Sequence, residues 1–550
     1  MTNGANALIE TLVRGGVDTC FTNPGTSEMH FVAALDNTDM RGILTLFEGV
    51  ATGAADGFAR MTDRPAATLL HLGCGLGNGL ANLHNARKAR VPMVNIVGDH
   101  ATWHAQYDAP LQSDIETVAR NISTWIRTPQ QTADLAGVAA EAVQVAMGPP
   151  AQIATLILPA DVSWSEGAEA VDPLPPIDAS VAPDEVIDQA AAALKGSGRK
   201  ALLLGRRVLT EAGLTAAAKV AKQTGAKLFC EVFPTRLERG AGLPPVERIA
   251  YLAEMASVQL NGIEHLVLVD AREPVSFFAY PDKKSYLVPE GCAVHRLVEP
   301  EHNALGTLDA LVDAVGAGQT RIQVQKAERP GLPSGRLNAG KVCQAVGALL
   351  PENAIISDEA QTSGVKLPLY TAGAPRHDVL TLTGGAIGQG LPVAVGAAVA
   401  CPERPVVALT GDGSGMYTIQ SLWTMAREDL DVTVIIMNNR SYAILNIELE
   451  RTGAEAAGPK AKAQLDLAEP PLDFVALARG MGVPAERVHT SRQLVKALKR
   501  AFAEPGPNLI EAMVPSEYRG LKLKALPYAL NALEKMPPSV ARAVKKKIAP

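Results

Sequence analysis

Two residues of this 550-residue chain stand out as chemistry: Asp412, inside Gly411-Asp412-Gly413-Ser414-Gly415, and Asn439, the second of Asn438-Asn439. Each follows a short apolar run, Val406–Thr410 and Val432–Met437, that reads as a buried strand. The 24 residues between Gly413 and Asn438 suffice for one crossover helix. Both loops are therefore expected at the carboxyl edge of adjacent parallel strands. A carboxylate and an amide oxygen converging there are hard ligands suited to Mg²⁺, which keeps water and phosphate oxygens for its other positions. The glycines let the backbone approach a phosphate, and the following helix offers unpaired N–H groups to the anion. Neither motif alone is specific; at two strand ends one crossover apart, they predict a metal–diphosphate anchor.

A second carboxylate, Glu48, follows the run Ile43–Phe47 and precedes the small-residue helix Gly49-Val50-Ala51-Thr52-Gly53-Ala54-Ala55-Asp56-Gly57. An unpaired charge at the mouth of an apolar strand is costly, which favours a task for it. A helix-start glutamate favoured by the dipole is the bland alternative.

The elements that must position these groups are legible from rhythm. Short apolar runs bounded by Gly, Pro or Asp alternate with Ala-rich helical stretches, which predicts parallel sheets built from βαβ units. Strands are expected at Val17–Thr22, Ala67–His71, Met93–Val97 and Ala154–Leu158, after a helix that stops at Gly15-Gly16. Further strands are expected at Ala201–Leu204, Lys227–Val232, Leu266–Asp270 and Ala293–Val298, then at Ala354–Ser357 and Leu509–Val514. Pro-rich breaks at Val171–Pro183 and Ala327–Arg336 divide the chain. The reading is an α/β protein of three doubly wound parallel-sheet domains, residues 1–170, 184–326 and 337–517, with a tail at 518–550. The central unit has few chemical groups in its loops and reads as mainly architectural. Asn338 is placed to cap a helix running through Leu350.

Composition sets the class. Charged residues make up 20% and hydrophobic ones 47%, as in an ordinary soluble α/β protein, while aromatics at 4% leave packing to Ala, Val, Leu and Ile. A net charge of −6 without a basic stripe gives no reason to expect nucleic acid; Lys545-Lys546-Lys547 reads as a solvated end. Six scattered cysteines without a Cys-x-x-Cys pair suit reduced thiols in a cytoplasm. No signal pattern or membrane-length apolar run is present in the sequence.

With these motifs in place, the chain resembles the thiamine-diphosphate-dependent 2-oxo acid decarboxylase and acetolactate synthase superfamily over nearly its whole length. The resemblance implies pyrimidine-binding, central and diphosphate-binding domains, with thiamine diphosphate and Mg²⁺ as cofactors. It implies Asp412, Asn439 and the Ser441 carbonyl as metal ligands. Gly411, Gly413, Ser414, Asn438 and Thr362 would lie at the diphosphate, Thr362 within Asp358-Glu359-Ala360-Gln361-Thr362. Gly385-Ala386-Ile387-Gly388 matches the aminopyrimidine support, with the Gly385 carbonyl as acceptor and Ile387 as the wedge that bends the cofactor. Phe47-Glu48-Gly49-Val50-Ala51-Thr52-Gly53 resembles the segment whose glutamate hydrogen-bonds N1′ of that ring. A proton held there lets the 4′-nitrogen take the thiazolium C2 proton, so that the carbon can attack a 2-oxo acid and CO₂ can leave.

On the substrate side, Phe21-Thr22-Asn23-Pro24-Gly25-Thr26-Ser27-Glu28 resembles a benzoylformate decarboxylase loop and puts Thr26 toward substrate. His71-Leu72-Gly73-Cys74-Gly75-Leu76-Gly77-Asn78 matches that enzyme's catalytic-histidine loop, making His71 the first acid–base candidate. The same glycines lack the spacing of a dinucleotide fingerprint, so NAD is not expected. Gln112, in Pro110-Leu111-Gln112-Ser113-Asp114, resembles a cofactor-facing loop of acetolactate synthases; His30, His100 and His104 are spare candidates. Two departures stand out. The stretch Glu273–Tyr280 has no histidine where benzoylformate decarboxylase keeps its second one. Asp270-Ala271-Arg272-Glu273-Pro274 replaces the FAD-associated run of acetolactate synthases and makes FAD doubtful.

The leading expectation is decarboxylation of a 2-oxo acid with carboligation to a second carbonyl. A benzoylformate-type decarboxylase and a silent cofactor-binding paralogue are the alternatives. The resemblance implies a homo-oligomer, a dimer at minimum and commonly a tetramer, in which Glu48 of one subunit faces Asp412 of another. The tail, with Leu521, Leu523, Leu526, Leu530 and Leu533, is read either as a lid over the site or as packing on a neighbour.

Overall fold

Runs of β-branched and aliphatic residues that end in Asp, Asn or Gly become strands, and the turn residues that stop them line up along one edge. In the computed structural model, residues 2–281, 283–452, 458–516, 521–537, 539–541 and 543–544 are described. The Lys545–Lys547 end and the start of the tail at Tyr518 lie outside them.

The first sheet is six-stranded and parallel: Arg41–Leu44, Thr19–Asn23, Ala66–Leu70, Met93–Asp99, Ile153–Pro159 and Trp125–Arg127, in spatial order. Numbered along the chain, that order is 2-1-3-4-6-5. The third unit repeats it with Ile355–Glu359, His377–Thr381, Val406–Gly411, Val432–Asn438, Ala485–Val488 and Asn508–Met513. Shared topology thus underlies the similar rhythm of the two units. In each sheet, the winding direction changes between strands 1 and 3, the crevice where such sheets bind ligands. The central sheet runs Glu247–Arg248, Lys227–Cys230, Lys200–Leu204, His265–Val269 and Ala293–Val298, order 3-2-1-4-5.

Some elements depart from the expectation. Trp125–Arg127, Glu247–Arg248, His377–Thr381 and Ala485–Val488 have no long apolar run yet are strands. Leu237–Arg239, from the central unit, crosses over and pairs antiparallel with His377–Thr381 of the third sheet. The helix after Asn338 spans Ala339–Leu349, and the Asn338 side chain accepts from Lys341 N–H as a cap.

The scarcity of aromatic residues has a structural counterpart. Helix Glu48–Thr62 packs on helix Gly390–Ala400 of the third unit through bare backbone. A methyl group on Gly57 would strike the Val393 carbonyl, and one on Gly396 the Ala54 carbonyl. Their residues share a single apolar core that joins the first and third units. The tail helix Leu521–Lys535 folds back on its own chain: Leu530 and Leu533 are buried against Met255 and Val258 of helix Ala253–Leu260. Among the described residues no helix is long and apolar enough to cross a membrane.

Candidate functional site

The Asp412 side of the site is built on two neighbouring parallel strands, as their spacing predicted. Val406–Gly411 pairs with Val432–Asn438 residue by residue, ending at Gly411 opposite Met437. Asp412 opens the next helix and is 2% exposed. Its Oδ1 accepts from Gly413 N–H at 3.0 Å and its Oδ2 from Arg440 N–H at 2.5 Å, which brings the carboxylate to the residue after Asn439. Burial pushes the Asp412 carboxyl up to about 6, against the lowering effect of those N–H donors.

Asn439 is buried, and its Oδ1 has no hydrogen-bond partner. A buried amide oxygen without a donor costs stability unless something else satisfies it. A divalent cation shared with Asp412 and the Ser441 carbonyl would do so; that oxygen already accepts from Ala443 N–H and keeps a second lone pair. These hard oxygen donors therefore fit Mg²⁺. Asn438, expected at the diphosphate, has its side chain turned inward. Its Nδ2 donates to buried Glu511 at 2.7 Å and its Oδ1 accepts from Arg440 N–H, so it shapes the turn.

The other third-unit candidates surround this anchor. A side chain on Gly413 would strike the Tyr442 ring, and Ser414 is buried. The loop of Gly385 and Ile387 carries two left-handed glycines, Gly385 at φ 80° and Gly388 at φ 93°. First-unit side chains hold it: Asn85 donates to the Ala386 carbonyl at 2.8 Å and His84 to the Gly384 carbonyl at 3.1 Å. The central unit, expected to be mainly architectural, reaches this loop as well. The Phe277 ring lies where a Gly385 side chain would be, in an aromatic group with Phe233, Tyr251 and Phe278. Thr362 lines a cavity of about 370 Å³ with Ile444, Ile447, Phe233, Tyr251 and Leu526 of the tail.

On the first unit, Glu48 is the first residue of its helix, 8% exposed, and accepts from Asn78 Nδ2 at 3.0 Å. Asn82 donates both to the Gly49 carbonyl at 2.7 Å and to the Gly388 carbonyl at 3.3 Å, so the Glu48 helix start meets the loop of Gly385 and Ile387 within one chain.

Strands 1 and 3 of this sheet deliver Thr26 and His71 to the same crevice. Thr26 is exposed, and a side chain on its neighbour Gly25 would overlap the His71 ring. The Gln112 loop is close by, since Ser113 abuts Gly73. The His100 and His104 rings meet at a tilt in that outer loop, and His30 leans on Trp164.

Two acids were not singled out by the sequence. Glu28 is fully buried under His71, with Oε2 2.8 Å from Nδ1. It also accepts from Gly25 N–H at 2.7 Å and from the Ser27 hydroxyl at 2.6 Å. Glu359 is the other, buried at the switch point of the third sheet. The available signal was a carboxylate set among apolar and small residues in each case, in Ser27-Glu28-Met29 and Ile356-Ser357-Asp358-Glu359-Ala360.

The fold, the buried Asp412 and Asn439 oxygens and the carboxylate-bearing first unit point to a class, and the comparisons agree with it. The chain belongs to the thiamine pyrophosphate enzymes: residues 2–121 match their N-terminal TPP binding domain and residues 361–512 their C-terminal TPP binding domain. It is 60% identical over 516 residues to a Mycobacterium tuberculosis protein named "Putative acetolactate synthase large subunit IlvX", covering 94% of this chain and 99% of that one. It is 30% identical to benzoylformate decarboxylase of Pseudomonas aeruginosa, covering 93% and 98%. In fold it is similar to the 4-hydroxybenzoylformate decarboxylase of Rhodococcus jostii, with a TM-score of 0.81, 24% identity and coverage of 94% and 99%.

Proposed function

We propose that this thiamine-diphosphate-dependent enzyme decarboxylates a 2-oxo acid and passes the acyl group to a second carbonyl. Bound thiamine diphosphate supplies a nucleophilic thiazolium carbon and a sink for the electron pair that CO₂ leaves behind. Asp412, Asn439 and the Ser441 carbonyl would hold its Mg²⁺. Gly411, Gly413, Ser414 and Thr362 would hold the diphosphate, and Gly385 and Ile387 the pyrimidine. Glu48 would keep a proton at N1′, and His71 would move one at the substrate oxygen, with Thr26 and Gln112 flanking it.

The observation that carries carboligation is the wall beside Gly385. The central unit presents the phenyl ring of Phe277 there, backed by Phe233 and Tyr251. The phenyl rings there offer no proton donor, which favours passing the acyl group to an acceptor carbonyl over protonating it. The name of the 60%-identical relative points the same way. A simple aldehyde-releasing decarboxylase is favoured instead by the Glu28–His71 pair, a ready route for a proton.

A homodimer, with the Glu48 edge of one subunit against the Asp412 edge of another, is supported by large apolar side chains left exposed at those edges: Leu46, Tyr417 and Leu445. A tetramer is the common larger form, and six free cysteines suit the cytoplasm.

Product analysis with Mg²⁺ and thiamine diphosphate tests the reading. Acetolactate from pyruvate, or another acyloin from a larger 2-oxo acid, is expected; aldehyde as the sole product from every 2-oxo acid tried overturns carboligation.

A further inference from the structure

The loop that carries Gly385 and Ile387 has little means of fixing itself, because its glycines supply no side chains. Its far end runs into helix Gly390–Ala400, whose first N–H groups have no partner within the helix. Those groups point at a carboxylate from a different strand. Glu359 Oε1 accepts from Gly388 N–H at 2.6 Å and Gln389 N–H at 3.1 Å, and Oε2 accepts from Gly390 N–H at 2.9 Å. Oε2 also accepts from the Thr410 hydroxyl at 3.3 Å, across the ladder that pairs Glu359 with Thr410.

Every part of this arrangement is enclosed. Glu359 is 1% exposed, Thr410 is fully buried, and a side chain on Gly390 would collide with the glutamate at 2.8 Å. Burial lifts the carboxyl to about 7, although its four donors favour the ionised form. Such a group is costly to keep unless its geometry serves something.

The pieces it joins suggest the service. Glu359 ends the strand that leads through Gln361, in a left-handed turn at φ 46°, into Thr362. Gly388 follows Ile387 directly, and Thr410 is followed by Gly411 and Asp412. Gln389 extends the link by donating to Asp56 Oδ2 at 2.6 Å, and Asp56 is clamped by Arg60 at 2.7 and 2.8 Å.

We infer that Glu359 is a positioning residue for the cofactor: one buried carboxylate sets the spacing of the diphosphate turn at Thr362, the pyrimidine loop at Ile387 and the metal loop at Asp412. The inference rests on the reading that these three segments hold thiamine diphosphate, and it concerns ground-state binding whatever reaction follows.

The test is the dissociation constant of thiamine diphosphate with Mg²⁺, measured by titration calorimetry without any 2-oxo acid, together with the melting temperature of the cofactor-free protein. Glu359→Gln keeps the shape but turns an NH₂ toward either Gly390 N–H or the Gly388–Gln389 pair. It is expected to weaken cofactor binding about tenfold or more, in the range seen when outer partners of a metal site are removed. Thr410→Val removes one donor to the same carboxylate and is expected to weaken binding about threefold, with no further loss in the double variant, because both act through one link. A lower melting temperature with unchanged cofactor affinity in both variants makes the network purely structural and overturns the inference. Should Glu359→Gln fail to fold, Thr410→Val decides alone: unchanged affinity overturns the inference and weakened affinity supports it. Since only cofactor binding is read, a failure of carboligation in the product assay leaves this outcome intact.

Discussion

Glu28 Oε2 lies 2.8 Å from His71 Nδ1, with the glutamate wholly buried and the imidazole reaching the surface above it. Two glycines make room for the pair: a side chain on Gly98 would overlap the Glu28 carboxylate, and one on Gly25 the His71 ring. With Nδ1 donating to Glu28, Nε2 is the nitrogen that would meet a substrate in the role proposed for His71. Glu28→Gln is therefore expected to lower kcat about 100-fold, the lower range for a positioned acid–base group, with little change in KM. Added to His71→Ala, it should cost almost nothing more. Unchanged kcat would reduce the pair to packing.

Glu48 is expected to control activation of the cofactor without holding it. Glu48→Gln should retain thiamine diphosphate yet slow hydrogen–deuterium exchange at its C2 by about 100-fold or more. NMR of quenched samples reads this directly. Exchange at the wild-type rate would remove Glu48 from the chemistry.

Asp412→Ala should weaken cofactor binding by at least about tenfold and abolish its dependence on Mg²⁺. Asn439→Leu is expected to behave alike in binding but to raise the melting temperature of the cofactor-free protein, because the orphaned Oδ1 is gone. Chelation of Mg²⁺ should release cofactor from the wild type. Cofactor retained by Asp412→Ala with its Mg²⁺ dependence intact would contradict the anchor.

His377 gives a prediction for stability against pH. It is 3% exposed, and burial, with repulsion from Arg239, lowers it from 6.5 to about 4 even though Nδ1 donates to the Pro375 carbonyl at 2.7 Å. Between those values the unfolded chain takes up a proton that the folded chain refuses. Its contribution is thus fully present above pH 6.5 and declines as the pH falls toward 4, by about 1.4 kcal/mol per unit and on the order of 3 kcal/mol in all. His377→Asn, compared with wild type by urea unfolding at several pH values, should show a flatter acid limb. Parallel curves would place the acid sensitivity elsewhere.

The tail helix contributes Leu526 to the cavity shared by Thr362 and Ile444. A chain ending at Glu517 is expected to keep its fold and to lose substrate discrimination, seen as a rise in KM for the preferred 2-oxo acid. Unchanged kcat and KM would confine the tail to packing on Met255 and Val258.

The paired strand ends that bring Asp412 and Asn439 together were readable because their signals are local. Val406–Thr410 and Val432–Met437 are covered on both faces, so they are apolar throughout, and the loops after them carry Asp412 and Asn439. His377–Thr381 escaped notice because it opens on two polar residues. Asp378 is nevertheless buried, paired with Arg236 at 2.7 Å and Arg404 at 2.5 Å from distant segments. Glu28 meets His71 across 43 positions and Glu359 meets Gly390 across 31, separations that leave no periodicity to detect. The inward turn of Asn438 likewise depends on Glu511, which only the completed sheet brings alongside. Packing and strand order made those pairs.

The strand Leu237–Arg239 works like a tenon: the middle unit inserts it beside His377–Thr381 and so closes the edge of its neighbour's sheet. A gene fragment cut between the second and third units would leave that edge bare and prone to pairing with other chains. The two units are thus one inheritance, and recombination that swaps either one must carry the joint with it.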